Sequence, residues 1–330
     1  MPTLTLAEAE DRVAHALVRC STSAGNARTV ARALVAAEAD GLKGHGLSRV
    51  PTYAAQAKAG KVDGFATPVV TRPRPAVLAI DAAHGFAYPA LDQAVAGLPE
   101  VARDQGVAVA PIRRSHHCGA AGHPVERLAE TDLVALLFAN TPAAMAPWGG
   151  AQALLGTNPI AFACPLPGRE PIVVDLSLSK VARGNILAAK QRGERIPEGW
   201  ALDEAGQPTT DPDAALRGTM LPLGDAKGTA LALMVELVAA GLTGATYAAE
   251  ASSFLDAKGP PPGTGQLIVA FDPAALGGAD ATGRFTALAA AIEVQAGARL
   301  PGARRLEARR RARTDGIALS DTLFAEIEAL

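Results

Sequence analysis

From about residue 76 onward, short apolar runs alternate with longer amphipathic segments, and this alternation constrains the fold more than any other feature of the sequence. Strand–helix–strand alternation is typical of an α/β layer domain, in which helices cover the faces of a sheet. In chain order, the first runs and the helical segments between them are Ala76–Ile80, Pro89–Asp104, Val107–Ile112, Val125–Glu130 and Leu133–Phe138. We therefore predict an α/β domain over residues 76–284.

The region before residue 76 has helical periodicity instead. Leu6–Cys20 and Ser23–Asp40 carry apolar residues at helical spacing, and Val50–Ala59 predicts a third helix. We therefore predict a helical unit over residues 1–75, which the C-terminal residues 285–330 join.

Further along the chain, Ile160–Ala163, Ile172–Leu176 and Gly265–Phe271 have the length and apolar character of buried strands. A helix predicted over Ala226–Leu242 is strongly apolar, so we expect it to be largely buried. The Pro- and Gly-rich stretch Gly259–Gly263 resembles a linker.

Composition and charge exclude several classes of function. The 330 residues are 49% hydrophobic, and a formal net charge of -2 provides no global field to attract nucleic acid or an anionic membrane. The first residues lack the pattern of a signal peptide, and no apolar stretch reaches the roughly 18 residues of a membrane-spanning helix. Three cysteines without a CxxC pair fit thiols in a reducing compartment. We therefore expect a cytoplasmic protein that acts on a small molecule.

The segment Arg113–Gly122 follows a predicted strand and precedes a predicted helix, a position that favours ligand binding. Its small residues let a phosphate or ring approach the backbone amides, although the Gly-x-Gly-x-x-Gly spacing is absent from the chain. His116, His117, Cys118 and His123 are candidate metal ligands. Adjacent side chains in an extended segment point to opposite sides, so we expect no metal site. A loop with one packed and one exposed histidine is the other interpretation.

His45 lies between two glycines, and Arg49 follows four residues later. The two side chains share one side of the chain if a helical turn begins here. Arginine offers a planar fork to a carboxylate, and histidine can exchange a proton with the oxygen of a 2-oxo acid. A structural histidine beside a solvated arginine is the alternative.

Three other places offer polar groups to a ligand. Gly156–Pro159 predicts a tight turn that leaves the side chains of Thr157 and Asn158 free. Asp175–Ser177 end a predicted strand, where a carboxylate and a hydroxyl can hold a ribose, although a helix N-cap fits equally. Lys227 either pairs with a phosphate or is a solvated lysine.

Arginines are concentrated near the C-terminus. A nucleic-acid patch would need aromatic stacking partners, and these are missing nearby. Arg304 and Arg305 can instead hold the phosphate of NADP. We expect Arg309 to Arg313 to lie on a solvated helix surface.

Taken in order, seven motifs resemble those of the malate/L-lactate dehydrogenase family, whose cofactor domain is not of the Rossmann type. The motifs are Gly44–Arg49, Ser115–Gly122, Ala146–Gly150, Gly156–Pro159, Asp175–Ser177, Lys227–Gly228 and Pro301–Gly302. The resemblance implies an α/β fold with a three-layer, mixed-sheet NAD(P)-binding domain beside a helical N-/C-terminal domain. It also implies a homodimer, with the helical domain at the dimer contact and on the substrate side of the cleft.

The resemblance implies roles for individual residues as well. His45, His117, Arg49 and Thr157 would lie at the reaction centre, with Arg49 on the substrate carboxylate. The residues that would hold the cofactor are His117, Cys118, Gly119, Ala120, Ala121, Asn158, Asp175, Leu176, Ser177, Lys227, Gly302, Arg304 and Arg305. The last two arginines favour NADP, with NAD as the alternative.

Relatives act on malate, lactate, sulfolactate or cyclic imines, and two departures help to choose between them. Many relatives place Ser where this chain has Gly44, and the imine reductases carry an Asp where this chain has Arg183–Asn185. The loss of both weakens the imine interpretation, although Gly85–Ala90 resembles that branch. Gly44–Pro51 together with Trp148 is most similar to the sulfolactate-type dehydrogenases.

We therefore expect an NAD(P)-dependent oxidoreductase that interconverts a small 2-oxo acid and its 2-hydroxy acid, of the malate, lactate or sulfolactate type. An additional anionic group on the substrate would find Arg183 or the pair Arg113 and Arg114 attractive partners. The alternative function is an NADPH-dependent reductase of pyrroline-2-carboxylate or piperideine-2-carboxylate.

Overall fold

The structure is a computed structural model that describes residues 1–330. The helices are α1 (Leu6–Arg19), α2 (Ala24–Ala39), α3 (Val50–Lys58), α4 (Ala87–Gln105), α5 (Gly122–Ala129), α6 (Arg183–Arg192), α7 (Pro212–Arg217), α8 (Ala226–Glu236), α9 (Pro273–Gly277), α10 (Ala281–Glu293), α11 (Ala303–Asp315) and α12 (Asp321–Glu328). The strands are β1 (Thr3–Leu4), β2 (Val69–Arg74), β3 (Val77–Asp81), β4 (Val107–Ser115), β5 (Val134–Ala139), β6 (Ile160–Leu166), β7 (Arg169–Leu176), β8 (Ala201–Leu202), β9 (Pro208–Thr209), β10 (Thr219–Met220), β11 (Thr264–Phe271) and β12 (Ile317–Ala318).

The N-terminal helices begin where their sequence places caps. The Thr5 hydroxyl accepts a hydrogen bond from the backbone N–H of Glu8 at 3.2 Å, and the Glu8 carboxylate accepts one from the backbone N–H of Thr5 at 2.8 Å. This capping box satisfies donors that the first turn leaves unpaired. Ser23 caps α2 through Asn26. The helices predicted over residues 6–20, 23–40 and 50–59 are confirmed to within a residue or two at each end.

A seven-stranded mixed sheet carries the rest of the architecture, in the order β2-β3-β4-β11-β5-β6-β7. Only β3 and β4 are parallel neighbours, and the other adjacent pairs run antiparallel. Ser115 pairs with Thr264, and Ile160 pairs with both Phe138 and Leu176. The ends of β4, β5 and β7 therefore meet the starts of β6 and β11 at one edge of the sheet. The predicted mixed-sheet α/β fold is confirmed.

Buried apolar residues form two clusters. The larger contains 52 residues and joins the N-terminal helices to both faces of the sheet. The smaller contains 13 residues, which come from the chain between Met145 and Ala239. The C-terminal chain returns to the N-terminus, where β12 pairs with β1. The boundaries of the two predicted domains stay a prediction.

The expectation for the apolar helix over Ala226–Leu242 was wrong. Helix α8 continues as a π-helical segment, and it exposes Leu231 (43%), Leu237 (51%) and Leu242 (70%). The sequence is apolar all round, but only one side of this helix packs on the smaller core, through residues such as Val235 and Ala239. The opposite side is left as an apolar surface.

The interpretation of Gly259–Gly263 as a linker was also wrong. Pro262 and Gly263 are buried, and the stretch leads directly into β11. The carbonyl of Gly263 accepts a hydrogen bond from Thr246 at 2.9 Å, which ties it to the preceding loop. None of the twelve helices combines the length and apolar character needed to cross a membrane.

Candidate active site

The candidate site lies at the sheet edge where β4, β5 and β7 end. The segment after β4 crosses this edge toward β7, because the backbone N–H of Gly122 donates to Asp175 Oδ2 at 2.7 Å. Between the two strands, Asn140 Oδ1 accepts a hydrogen bond from the N–H of Gly265 at 2.8 Å and so fixes the start of β11 against the end of β5. Three predicted ligand-binding segments, 115–122, 156–159 and 175–177, therefore lie at one edge of the sheet.

His45 and His117 form the centre of the site. Their rings stack with centroids 5.2 Å apart and planes inclined by 16°. His45 ends a 3-10 turn over Lys43–His45, and Gly46 follows where a Cβ would lie 2.3 Å from Glu38 Oε2. That carboxylate oxygen accepts a hydrogen bond from Leu47 at 2.9 Å. Glu38 thus holds the loop that presents His45, a role that the sequence analysis missed.

Arg49 lies beside the histidine pair. Its Nε donates to the carbonyl of Gly44 at 2.7 Å, and the half-buried guanidinium has no carboxylate partner. Gly44 directly precedes His45, so Arg49 lies against the loop that presents this ring, and its positive charge contributes to the lowered pKa values of His45 and His117. The predicted grouping of Arg49 with these histidines is present in the structure.

The three clustered histidines are neutral at physiological pH. Burial, with a smaller contribution from Arg49, lowers the pKa of His45 to about 4 and holds the pKa of His117 well below its usual value. Burial lowers the pKa of His116 to about 3. Loss of hydration disfavours the charged form of each ring, and no carboxylate compensates for it. These rings can therefore donate or accept hydrogen bonds without carrying charge.

Two tyrosines that the sequence analysis missed complete this centre. The hydroxyl of Tyr53 lies 2.6 Å from His117 Nδ1, and the hydroxyl of Tyr88 lies 3.2 Å from that of Tyr53. Burial raises the pKa of Tyr53 to about 12, so its hydroxyl stays protonated. Tyr53 follows Arg49 by four residues, at helical spacing, and this spacing was the one sequence signal that could have placed Tyr53 in the site. His116 packs edge-on against Tyr53, and neither of its ring nitrogens has a hydrogen-bond partner.

The aromatic ring of Phe254 packs against His116 and His117. The ring of Phe254 lies 5.2 Å from that of His116 and 5.3 Å from that of His117. Its loop is held by the buried Lys61, whose ammonium donates to the carbonyls of Ser253 (2.6 Å), Asp256 (3.0 Å) and Lys258 (2.6 Å). A side chain far from Phe254 in sequence thus fixes its position.

Thr157 and Asn158 lie at the same edge, but their surroundings differ. The Thr157 hydroxyl lies 3.3 Å from that of Thr141, just beyond the end of β5. Asn158 is fully buried, and its amide group donates to Glu236 at 2.7 Å and to the carbonyl of Ala232 at 2.9 Å. The side chain of Asn158 therefore anchors the turn to α8, and its predicted contact with the cofactor stays a prediction.

The remaining cofactor candidates form a second group along β7. The backbone N–H of Leu178 donates to the carbonyl of Thr157 at 2.7 Å. The carbonyl of Leu178 accepts a hydrogen bond from the backbone N–H of Leu223 at 2.8 Å. This ladder places Ser177 between the 156–159 turn and the start of α8, where Lys227 lies exposed. On the other side of β7, a Cβ on Gly302 would lie 3.4 Å from the carbonyl oxygen of Val173.

This donor set fits a nicotinamide dinucleotide. Asp175 Oδ1 has no protein partner, and solvent still reaches the carboxylate. The surrounding protein removes part of its hydration, and this raises the pKa of Asp175. Lys227 and Arg304 are exposed cations without carboxylate partners. A carboxylate oxygen suits ribose hydroxyls, and the two cations suit phosphates.

Arg305 and Arg309 belong to a buried ion cluster instead. Arg305 binds Glu126 at 2.7 and 2.8 Å and Asp40 at 3.0 Å, and Arg309 binds the same two carboxylates. His123 Nε2 lies 2.9 Å from Asp40. The expectation of a solvated Arg309 was therefore wrong, because α11 packs this face against α2 and α5. The predicted phosphate contact of Arg305 stays a prediction, although its guanidinium is already paired.

Comparison with known proteins identifies the class. The sequence profile of the malate/L-lactate dehydrogenase family matches residues 4–328. The (2R)-3-sulfolactate dehydrogenase (NADP(+)) of Chromohalobacter salexigens is 50% identical over 326 residues, covering 99% of this chain and 97% of the relative. A Delta(1)-pyrroline-2-carboxylate reductase of Ancylobacter novellus is 41% identical over 330 residues, with the same shares covered.

Two solved structures extend the similarity to the fold. A delta1-piperideine-2-carboxylate reductase from Pseudomonas syringae is 38% identical with a TM-score of 0.95, covering 100% of this chain and 99% of the other. The sulfolactate dehydrogenase from Methanocaldococcus jannaschii is 28% identical with a TM-score of 0.91, covering 99% and 96%.

Fold and site together define an oxidoreductase with a non-Rossmann cofactor domain. The chain belongs to the malate/L-lactate dehydrogenase family. This confirms the predicted family and the prediction of an NAD(P)-dependent dehydrogenase.

Proposed function

We propose that this enzyme uses NADP(H) to interconvert a short 2-oxo acid and its 2-hydroxy acid, and that the acid carries a second anionic group, as sulfolactate does. The observation that carries the proposal is the stacked pair of His45 and His117 beside Arg49, whose guanidinium has no carboxylate partner. The 50% identical relative acts as a (2R)-3-sulfolactate dehydrogenase with NADP(+), which supports both the substrate class and the cofactor.

Each of these side chains has one task in the proposed reaction. Arg49 presents its planar fork to the substrate carboxylate, so the carbonyl or carbinol carbon lies against the histidines. A neutral histidine donates a hydrogen bond to the carbonyl oxygen and gives it a proton during reduction. Thr157 borders the same space. Bound cofactor supplies or accepts the hydride, and Asp175, Ser177, Lys227 and Arg304 would hold it.

A second anionic group needs a second cation, and the structure favours Arg183. Arg113 and Arg114, the other candidates, both form ion pairs with Asp81, at 3.1 and 2.7 Å. Arg183 is half-buried, donates to the carbonyl of Leu216 at 3.0 Å and has no carboxylate partner. Arg49 and Arg183 are the two half-buried arginines of this chain without one, and two such cations match a dianionic substrate.

The alternative is reduction of a cyclic imine. The 38% identical reductase of piperideine-2-carboxylate has a TM-score of 0.95, so the same scaffold serves that chemistry in a relative. A cyclic imine carboxylate has one anionic group, and Arg183 would then have no partner in the substrate.

Loss of NADPH absorbance with a substrate panel tests the proposal. The panel contains 3-sulfopyruvate, oxaloacetate, pyruvate and the two cyclic imines, each with NADPH and NADH. We expect the highest kcat/KM with a dianionic 2-oxo acid and NADPH. A higher kcat/KM with a cyclic imine would establish the alternative, and the absence of turnover with all five would contradict both.

Variants of the two arginines assign the anionic groups. Arg49→Lys should lower kcat/KM for every 2-oxo acid, because a point charge cannot reproduce the fork. Arg183→Met should lower kcat/KM for 3-sulfopyruvate by about 30-fold, or about 2 kcal/mol, and leave that for pyruvate unchanged. Arg192→Met, on the exposed part of the same helix, is the control. An equal loss with pyruvate would remove Arg183 from the substrate site.

We propose further that the enzyme is a cytoplasmic homodimer. The apolar surface left by Leu231, Leu237 and Leu242 supports a second copy as its cover, because patches of this kind on a globular protein usually mark an interface. This surface lies outside residues 1–75, where the family resemblance implied the dimer contact, so we propose it as an additional contact. The three free, buried cysteines fit a reducing compartment. Light scattering of the wild type and of Leu237→Glu tests the dimer, and an unchanged dimeric mass in the variant would exclude this surface.

A further inference from the structure

A chain of buried hydroxyl groups leads inward from the reaction centre. It begins at His117 Nδ1, continues 2.6 Å away at the hydroxyl of Tyr53, and reaches the hydroxyl of Tyr88 after a further 3.2 Å. All three side chains are buried, so each hydroxyl has few partners other than its neighbours in the chain. Gly119 lies directly over the last hydroxyl, where a Cβ would come within 2.6 Å of it.

The far end of this chain, Tyr88, borders a solvent-open cavity of about 520 Å³. Tyr88, Cys118 and Ala120 form part of its wall, and α2, α4 and α5 form most of the rest. Neither His45 nor His117 lines it, so the cavity is separate from the reaction centre. Its volume is many times the ~30 Å³ that one water molecule occupies in the liquid.

The cavity wall also carries ionisable side chains. Glu10, Asp92, Glu130 and His123 all contribute to the wall. Burial, together with the neighbouring Glu126, raises the pKa of Glu130. Arg32 and Arg313, which also line the cavity, are exposed, so the cavity opens to bulk solvent and has room for water. Tyr88 therefore lies between a chain of hydrogen bonds and a supply of protons.

The proposed reaction needs such a supply, because each reduction consumes one proton. The lowered pKa of His117 means that the ring is not an imidazolium at neutral pH. A neutral ring that gives up its Nε2 proton must gain another at Nδ1 at the same time, since an imidazolate is far too basic. In this structure Nδ1 faces the hydroxyl of Tyr53 and no other donor.

We propose that Tyr88 and Tyr53 form a proton relay that connects this solvent-open cavity to His117. This inference rests on the proposed function, and it specifies how the proton reaches the reaction centre. Tyr53 and Tyr88 act through His117 and do not touch the substrate.

The proton balance of the relay is complete. During reduction, the N–H bond at His117 Nε2 breaks and an O–H bond forms on the former carbonyl oxygen. His117 Nδ1 takes the proton of Tyr53, Tyr53 takes that of Tyr88, and Tyr88 takes one from cavity water, which regains a proton from bulk solvent, so one solvent proton is consumed in each reduction. The ring changes tautomer without becoming charged, and every step reverses during oxidation. The tautomer and the hydroxyl orientations reset when the product leaves and water enters the cleft.

The three tyrosines of the chain provide the test, with Tyr247 as the control. Tyr53→Phe removes the contact with His117, whereas Tyr88→Phe keeps it and breaks only the connection to the cavity. Tyr247→Phe makes the same change on a partly exposed side chain outside the relay. For each variant we would measure kcat, KM, the proton inventory of kcat in mixtures of H₂O and D₂O, NADPH affinity and Tm.

The relay predicts a specific pattern. Tyr53→Phe should lower kcat by about 10²-fold, in the range of a lost acid–base contact, with little change in KM. Tyr88→Phe should lower kcat less, and both variants should lose curvature in the proton inventory. Wild-type kcat and curvature in Tyr88→Phe would overturn the relay, because Tyr53 would then only orient the ring. If Tyr53→Phe does not fold, kcat and the proton inventory of Tyr88→Phe test the relay by themselves.

The tautomer of His117 provides a readout that needs no substrate. Nitrogen NMR of the free enzyme should show His117 protonated mainly at Nε2 in the wild type and in Tyr247→Phe, and a changed tautomer ratio in Tyr53→Phe. An identical ratio in all three would overturn the relay. A failure of the proposed substrate class would appear in the substrate panel and would leave this measurement unaffected.

Discussion

Two buried polar clusters lie at the two ends of the 116–123 segment, and they accommodate buried ionisable side chains in opposite ways. The histidine centre consists of His45, His116, His117, Tyr53 and Arg49. The ionic cluster consists of Asp40, His123, Glu126, Arg305 and Arg309. In the histidine centre, His45 Nδ1 and both nitrogens of His116 have no partner. In the ionic cluster, every carboxylate oxygen accepts at least one hydrogen bond from an arginine.

The difference shows what partners do to buried ionisable groups. Burial disfavours charge in both clusters. In the ionic cluster the arginines outweigh burial, so the pKa values of Asp40 and Glu126 are lowered and both carboxylates stay charged. In the histidine centre no carboxylate offsets the effect of burial on the pKa values, and the rings stay neutral. The first arrangement holds helices together, and the second leaves polar atoms free for a ligand.

The largest expected effect separates the two adjacent histidines. His117→Leu should lower kcat about 10²–10⁴-fold, because it removes the proposed proton donor. His116→Leu removes a ring of the same size, at the next position, that makes no hydrogen bond, and kcat should change little. Steady-state kinetics of both variants, with Tm as a check of folding, provides the comparison. Equal losses in the two variants would contradict a special role for His117.

The ionic cluster should show its effect on stability. Arg309→Met leaves Asp40 and Glu126 with one arginine between them, and breaking a buried pair of this kind should lower the free energy of unfolding by about 3 kcal/mol. Arg310→Met changes an exposed neighbour on the same helix and should cost little. Urea unfolding measures both, and similar midpoints would show that the cluster is not stabilising.

Lys61 combines features of both clusters, since it is a paired cation whose loop packs on the histidine centre. Lys61→Met leaves three backbone carbonyls of the 253–258 loop without their donor and should lower the free energy of unfolding by about 2 kcal/mol. Phe254 should lose its fixed position, so kcat/KM should fall as well. Lys58→Met, on an exposed turn of α3, is the control for urea unfolding and kinetics. A stable Lys61→Met enzyme with normal kcat/KM would show that Phe254 needs no clamp.

The smallest effect is a difference in pH dependence between the clusters. A histidine with a lowered folded-state pKa binds its proton only after unfolding, so its contribution to stability is lost as the pH falls below about 6.5. For His116, whose pKa is about 3, this amounts to about 1.4 kcal/mol at pH 5.5. His116→Leu should therefore lose less stability than the wild type between pH 7 and pH 5.5.

The carboxylates give the second step of the same profile. Their folded-state pKa values are lowered, so the stability they contribute is present above about pH 4 and is lost as the pH falls further. Arg309→Met should flatten this step and leave the histidine step unchanged. Urea midpoints from pH 7 to pH 3 measure both steps, and a single transition common to all variants would contradict the distinction.

Much of this structure follows from local patterns in the sequence. Thr5 and Glu8 mark the start of α1, and alternating apolar runs mark the strands, because capping and periodicity depend on neighbours within one turn or one strand. The end of β4 was predicted at Ile112 but lies at Ser115, since Thr264 of a distant strand extends the pairing. His45 and Arg49 were predicted as a pair from spacing alone, and the structure places them together beside His117.

What the sequence alone determined was the set of chemical groups and the elements that carry them: glycine-flanked His45, the His117 segment, and the strands and helices of a non-Rossmann dehydrogenase. Tertiary structure decided which groups became partners. Arg309 lies in an ion cluster and not in solvent, Lys61 holds a loop 192 residues away, and Tyr53 meets His117 across 64 residues. Burial and pairing depend on contacts between distant segments, and their energies set which side chains stay charged, which stay neutral and which remain free to react.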